Sequence, residues 1–182
     1  MAKFAEALTP THLAFIAEQK IYFVASAPHA GRVNLSPKGM DTFRVLSTTR
    51  GGYLDVTGSG NETAAHLLEN GRLALMMCSF TASPLIFRIY GRGRAAHPHD
   101  ADWSQLRPLF GPPLPGERQL IVAEIESIQT SCGFGVPFFD YTGERSTLLD
   151  YAETKGPAAM AAYRTEKNLR SIDGLPTGLL NT

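Results

Sequence analysis

Apolar and polar residues alternate at period two through most of the chain and follow the helical period in only a few short stretches. Alternation of that kind marks strands with one covered face. It predicts strands over Ile21–Ser26, Phe43–Ser47, Gly52–Thr57, Leu73–Ser79, Leu85–Ala95 and Leu120–Thr130. Turn residues separate most of them, so an antiparallel sheet closed into a barrel is expected. Another strand is predicted from Arg32 to Ser36, reached through the hairpin-like Pro28-His29-Ala30-Gly31 turn. Arg32, Asn34 and Ser36 fall on one face and Val33 and Leu35 on the other, before Pro37-Lys38-Gly39 turns the chain. This gives one wet face that carries a cation.

Helical signals are fewer. Thr9 and Pro10 cap and open a helix over Thr11–Glu18. In a second helix Ser59 and Glu62 have capping-box spacing, Ala64, Ala65, Leu67 and Leu68 supply an apolar stripe, and Asn70-Gly71 ends it. A short helix is expected over Ala101–Leu106, followed by a loop from Arg107 to Gly116 that is a candidate lid. Near the C-terminus, a helix over Leu148–Thr154 is broken by Lys155-Gly156-Pro157 and resumes over Ala158–Lys167, with Met160 and Tyr163 turned inward. The tail Ile172–Pro176 is expected to lie extended on the body or on a partner.

Composition narrows the class. With 182 residues, 43% of them hydrophobic, one domain spanning 1–182 can bury a substantial core. Basic and acidic residues balance at 17 each, so no positive excess favours nucleic acid. No apolar run approaches the roughly 20 residues of a membrane span, and no basic start with an apolar core opens the chain. A cytoplasmic protein is expected. Cys78 and Cys132 are expected to be free thiols.

Two stretches carry candidate chemistry. The Arg32–Lys38 stretch supplies cations, and Asp55 to His66 reads as a strand, a glycine-rich bend and a helix start, where free N–H groups favour an anion. Together they point to a phosphorylated ligand. Read alone, Arg32 is more often a solvated strand residue, Lys38 a turn residue, and Arg88, Arg92 and Arg94 a barrel exterior. His97 and His99 have no carboxylate or cysteine at convincing ligand spacing, so no metal is expected. His66 reads as a packed or surface residue, and Cys132 lacks a nucleophile's setting.

The order of these pieces from about Ile21 to Gln129 resembles the split-barrel flavoproteins related to pyridoxamine 5′-phosphate oxidase. The resemblance implies a mainly β fold with peripheral helices, an antiparallel split β-barrel that pairs as a homodimer with FMN at the interface. It places Arg32, Val33, Asn34, Leu35, Ser36 and Lys38 along the flavin. It sets Val56, Thr57, Asn61 and Thr63 near the ribityl phosphate and brings Gln129 from the other subunit. Two departures stand out. Glu62-Thr63 replaces a basic pair at the helix start, and Phe134-Gly135-Val136 occupies the positions of an Arg-x-His substrate signature. The resemblance therefore implies an FMN-dependent oxidoreductase with an unnamed small-molecule substrate or electron donor, but not an oxidase of pyridoxamine phosphate. No catalytic dyad is visible, as expected where the cofactor does the chemistry. Its alternatives are the deazaflavin cofactor (F420), or a non-catalytic flavin or haem carrier or sensor, with His97, His99 or Cys132 as loose axial candidates.

Overall fold

A computed structural model describes residues 2–180. In chain order the elements are β1 (Lys3–Ala5), α1 (Pro10–Glu18), β2 (Tyr22–Ser26), β3 (Asn34–Lys38), β4 (Phe43–Ser47), β5 (Arg50–Val56), α2 (Glu62–Asn70), β6 (Arg72–Cys78), β7 (Ile86–Ala96), α3 (Trp103–Leu106), β8 (Glu117–Ser131) and α4 (Thr147–Lys167). All strand pairs are antiparallel, in the order β3-β2-β6-β7-β8-β5-β4 with β1 added on β8. This is a mainly β protein with peripheral helices.

The sheet curls until its two edges face each other without hydrogen-bonding as strands, so side chains close the split. Tyr22 on β2 stands 5.6 Å from the Phe43 ring and 5.7 Å from the Tyr53 ring. Its hydroxyl lies 2.8 Å from that of Thr42. Lys38 at the end of β3 reaches Asp55 on β5 at 2.7 Å. β8 is long enough to change partners, pairing β5 through its first half and β1 through its last residues.

Two apolar clusters pack against this sheet. The larger fills the barrel with Tyr22, Val24, Tyr53, Leu75, Met77, Phe87, Ile89, Ile121 and Ile128. The smaller joins Leu54, Ala96, Leu120 and Val122 to Leu106 and Phe110 on the other face. β5 and β8 are thus buried on both sides. Each such side chain contributes roughly 1.5–3 kcal/mol on burial.

Several expectations change. Arg32 and Val33 precede β3 rather than belonging to it. The face carrying Asn34, Ser36 and Lys38 is half-buried, whereas Val33 and Leu35 are 74% and 65% exposed in this chain. The cause is the curl, which turns the polar face of β3 toward α2 and β5. The Ser59–Glu62 capping box does not form: Asn61 is the N-cap residue, its side chain makes no cap, and Glu62 is held elsewhere. Leu68 faces solvent while His66 takes the inward position, buried with Ala64, Ala65 and Leu67. The expected loop after Leu106 opens with a 3-10 turn over Arg107–Phe110, because Phe110 anchors it in the smaller cluster. β1 carried no period-two signal in its three residues.

Other signals are realised. Thr9 caps α1 with Pro10 at its first position, and Gly71 ends α2 in the left-handed conformation at φ 71°. α4 is two helices meeting at Gly156, whose φ of 74° breaks the helical path ahead of Pro157. Met160 is buried, and both cysteines are free thiols.

Candidate functional site

The site is assembled where β3, the end of β5 and the start of α2 converge, with the chain after α4 laid across them. At its base Asp55 sits in an apolar strand and is buried. It accepts from Lys38 at 2.7 Å, from Arg118 at 2.6 and 3.2 Å, and from Gln119 at 2.9 Å. Burial alone would push its carboxyl up, but the Lys38 and Arg118 charges and hydrogen bonds outweigh it and hold the group far below the usual carboxylate range. Lys38 is thereby tied down, and its ammonium lies 5.5 Å from the centre of the Tyr53 ring.

Gln119 extends this node. Its amide also donates to Asn61 at 2.8 Å, and its oxygen lies 3.1 Å from Nε2 of His97. The Asn61 amide donates to the Asn168 carbonyl, which also accepts from the Thr177 hydroxyl, and the Asn168 amide donates to Gly58. Asn61 is therefore spent on holding the glycine-rich bend and the C-terminal chain together. Thr57 is spent likewise, with both its N–H and its hydroxyl donating to the Gly116 carbonyl at 2.8 Å.

The upper layer is different. The Asn34 amide donates to the Thr63 hydroxyl at 3.0 Å, Ser36 donates to Asn34, and Ser26 meets Nδ1 of His66. These polar groups form a floor beside the start of α2. That start is uncapped: the first N–H with a backbone partner is that of Ala65, bonded to the Asn61 carbonyl at 3.3 Å. The N–H groups before it carry the positive end of the helix dipole. Glu62 does not oppose them, because its carboxylate accepts the Ile172 N–H at 3.0 and 3.1 Å.

Arg32 stands at the rim. Its N–H donates to Asp173 at 2.7 Å, and its guanidinium pairs with the same carboxylate. The Arg32 N–H, ahead of the charge of the guanidinium, keeps that carboxyl below its ordinary range.

Of the residues marked in the sequence, Asn34, Ser36, Lys38, Asn61 and Thr63 are gathered here and Arg32 joins at the edge. Val33, just ahead of β3, and Leu35 within it point outward, Val56 ends β5 opposite Glu117, and Thr57 follows it. Gln129 lies elsewhere on the sheet, opposite Phe4 and Arg88, and accepts from the Tyr90 hydroxyl at 3.3 Å. Arg92 and Arg94 lie on the barrel exterior in ion pairs with Glu126 and Asp102. Sequence reasoning passed over Asp55, Arg118, Gln119, Asn168 and Asp173. A charged residue inside an apolar strand, as at Asp55 and Arg118, was the available signal.

An antiparallel split barrel with polar side chains gathered at a helix start defines the class, and comparison with known proteins defines the family. The model of the pyridoxamine 5′-phosphate oxidase family matches residues 8–132. The chain belongs to that family. It is 38% identical over 193 aligned residues to the pyridoxamine 5′-phosphate oxidase family protein ustO of Aspergillus flavus, covering 97% of this chain and 78% of that one. Among solved structures, HupZ from Group A Streptococcus matches with a TM-score of 0.55 at 17% identity, covering 66% of this chain and 91% of that one. A candidate pyridoxamine 5′-phosphate oxidase from Lactobacillus delbrueckii matches with a TM-score of 0.53 at 18% identity, over 68% and 94%. These two likenesses concern the fold.

Proposed function

We propose that this chain is an FMN-binding oxidoreductase that works as a homodimer. The observation that carries the reading is the uncapped start of α2, which opens beside the polar floor of Asn34, Ser36 and Thr63 with Arg32 at its rim. That arrangement suits a phosphate monoester. Backbone N–H groups and a threonine hydroxyl donate to its oxygens, and no lysine at the helix start is required. Family membership supports a flavin as the bearer of that phosphate.

When bound, the isoalloxazine of FMN supplies the hydride or electron transfer. The chain's part is to bind and orient. The floor residues and the α2 N–H groups hold the phosphate, and the backbone from Val33 to Leu35 offers polar groups along the ring. The Asp55 node fixes the spacing between β3 and β5, on which both depend. Burying Asp55, Arg118 and Gln119 costs solvation that their mutual hydrogen bonds offset, so the floor is preorganised.

The dimer is supported by surfaces left bare in one chain. Val33 just ahead of β3 and Leu35 within it are exposed, and Phe134 and Phe138, 82% and 77% exposed, project from the chain between β8 and α4. That segment is pinned where the Phe139 ring meets Phe80 edge-on at 5.3 Å. Pairing would cover these side chains and bring Gln129 of a second copy toward the flavin. Phe134-Gly135-Val136 offers neither a cation nor an imidazole, so pyridoxamine phosphate is not the substrate of this reading.

The test is a visible absorption spectrum of the purified protein, with its mass by sedimentation and identification of the chromophore released by heat. FMN at one per chain in a dimer is expected. A colourless protein that takes up no added FMN, or a monomer that holds FMN tightly, contradicts the proposal.

A further inference from the structure

A second group of chemistry-bearing residues lies on the other side of Gln119. β7 ends at Ala96, and the chain turns back at once, with the Asp100 N–H donating to the His97 carbonyl and the His97 N–H donating to Asp100 Oδ2, both at 2.9 Å. The turn swings the Asp100 carboxylate over two imidazoles. Asp100 Oδ2 is 3.9 Å from His97 Nδ1, and Asp100 Oδ1 is 3.6 Å from His99 Nε2. One ligand atom from each of the three residues lies within 4.8 Å of the others. The two rings are nearly parallel, 11° apart in plane with centroids 5.2 Å apart.

The protonation pattern of His97 follows from its neighbours. The Gln119 amide nitrogen faces two acceptors, Asp55 Oδ2 and Asn61 Oδ1, so the Gln119 oxygen is the atom that meets His97 Nε2. An oxygen there requires Nε2 to carry the hydrogen. In the neutral ring Nδ1 then holds the lone pair, and Nδ1 is the atom turned toward Asp100 and His99. A histidine with one nitrogen hydrogen-bonded and the other bare is how proteins present a metal ligand.

We propose that His97 Nδ1, His99 Nε2 and Asp100 Oδ1 form a site for a divalent transition-metal ion of the zinc class. Two imidazoles and a carboxylate suit such an ion better than calcium or magnesium, which prefer all-oxygen shells. Bonds of about 2.0–2.2 Å bring ligand atoms to roughly 3–4 Å from one another. The 3.6 Å between His99 Nε2 and Asp100 Oδ1 already lies in that range, and His97 Nδ1 stands 3.9 Å from the other oxygen of the same carboxylate. Arg94 pairs with Asp102, and its contact with Asp100 is to Oδ2, at 3.8 Å.

The remaining coordination positions face a groove of about 670 Å3 between α2, the end of β7 and the C-terminal tail. Leu68, Leu179 and Leu180 give it apolar walls, and Arg94 and Arg170 line its polar side. A small anion with an apolar body fits this lining as the exogenous ligand. The site lies outside the flavin pocket and shares only Gln119 with the node beneath it.

The test is titration of the full-length, tag-free, chelator-stripped protein with cobalt(II), followed by its visible d–d absorption and then by displacement with zinc. Saturation at one ion per chain is expected. His99→Ala and Asp100→Asn should each weaken binding by at least about tenfold, the scale of losing even an outer-shell partner. Both positions are on the surface side of the turn, and Asn at 100 keeps an acceptor for the His97 N–H. Nitrogen-15 spectra of the wild-type imidazoles should show zinc on Nδ1 of His97 and Nε2 of His99, a readout independent of any variant's folding. Absence of saturable cobalt binding, unchanged affinity in His99→Ala, or ligation through His97 Nε2 would overturn the proposal.

Discussion

Asp55 and Asp173 each take hydrogen bonds from a basic residue brought from a distant part of the chain, yet they stand in opposite surroundings. Asp55 is enclosed with Lys38, Arg118 and Gln119, and every donor aimed at it comes from a strand of the barrel. Asp173 belongs to the tail, and its Arg32 partner has a side chain 67% exposed. A pair sealed from water cannot lose one member without stranding the other, whereas a pair in solvent is worth little and is easily replaced. The first is therefore a fixture of the fold. The second is a clasp that an incoming anion can displace.

The largest expected effect comes from breaking the buried node. Asp55→Asn leaves Arg118 and Lys38 without their counter-ion and should cost about 3–5 kcal/mol, read as a lowered urea midpoint with an unchanged slope. Asn168→Ala comes next, because it removes the fully buried amide that donates to the Gly58 carbonyl and strands that acceptor, while the Asn61 and Thr177 bonds to the backbone carbonyl of residue 168 persist. A loss of about 1–3 kcal/mol is expected from the same measurement.

Acid should expose the node differently from the clasp. The Asp55 carboxyl is depressed in the folded state, so its contribution is complete above the unfolded value near 3.8 and is lost as pH falls below it toward the folded value. Wild-type stability should accordingly fall below about pH 4, and Asp55→Asn should flatten that limb of the curve. An identical acid limb in both proteins would mean that the node contributes nothing.

The smallest effects on stability, and the most telling for function, come from the clasp. Arg32→Ala and Asp173→Asn should each leave the urea midpoint where it was. They should move FMN affinity in opposite directions, with Arg32→Ala weakening it through loss of a phosphate partner and Asp173→Asn strengthening it by freeing Arg32. Equal shifts of the same sign, measured by fluorescence titration, would show that the pair is only structural.

The same contrast explains what could be read without coordinates. Most strand positions and the main helices were legible because alternation at Tyr22–Ser26 and Ile86–Ala96 and the glycine at 71 report local backbone states. Asn34 and Ser36 were legible as one strand face for the same reason, whereas Thr63, 29 residues from Asn34, joined them only through the family resemblance. The outcome at Glu62 was not, since its partner is the Ile172 N–H, 110 residues away. Nor was the 141-residue link from Arg32 to Asp173. Local spacing also misdirected the Ser59–Glu62 capping box, because the network through Asn61, Gln119 and Asn168 holds the bend in a different shape. Asp100 went unweighted beside His97 and His99 because only the turn brings its carboxylate back over the rings.

The central claim is that the open start of α2 holds the phosphate of the flavin. Parallel titrations of the wild-type protein with FMN and with riboflavin, which lacks the phosphate, test it most directly. Charge-assisted hydrogen bonds are worth about 1.5–3 kcal/mol each, so FMN should bind at least about tenfold tighter, and the advantage should shrink in Arg32→Ala. Equal affinity for the two flavins would contradict the account.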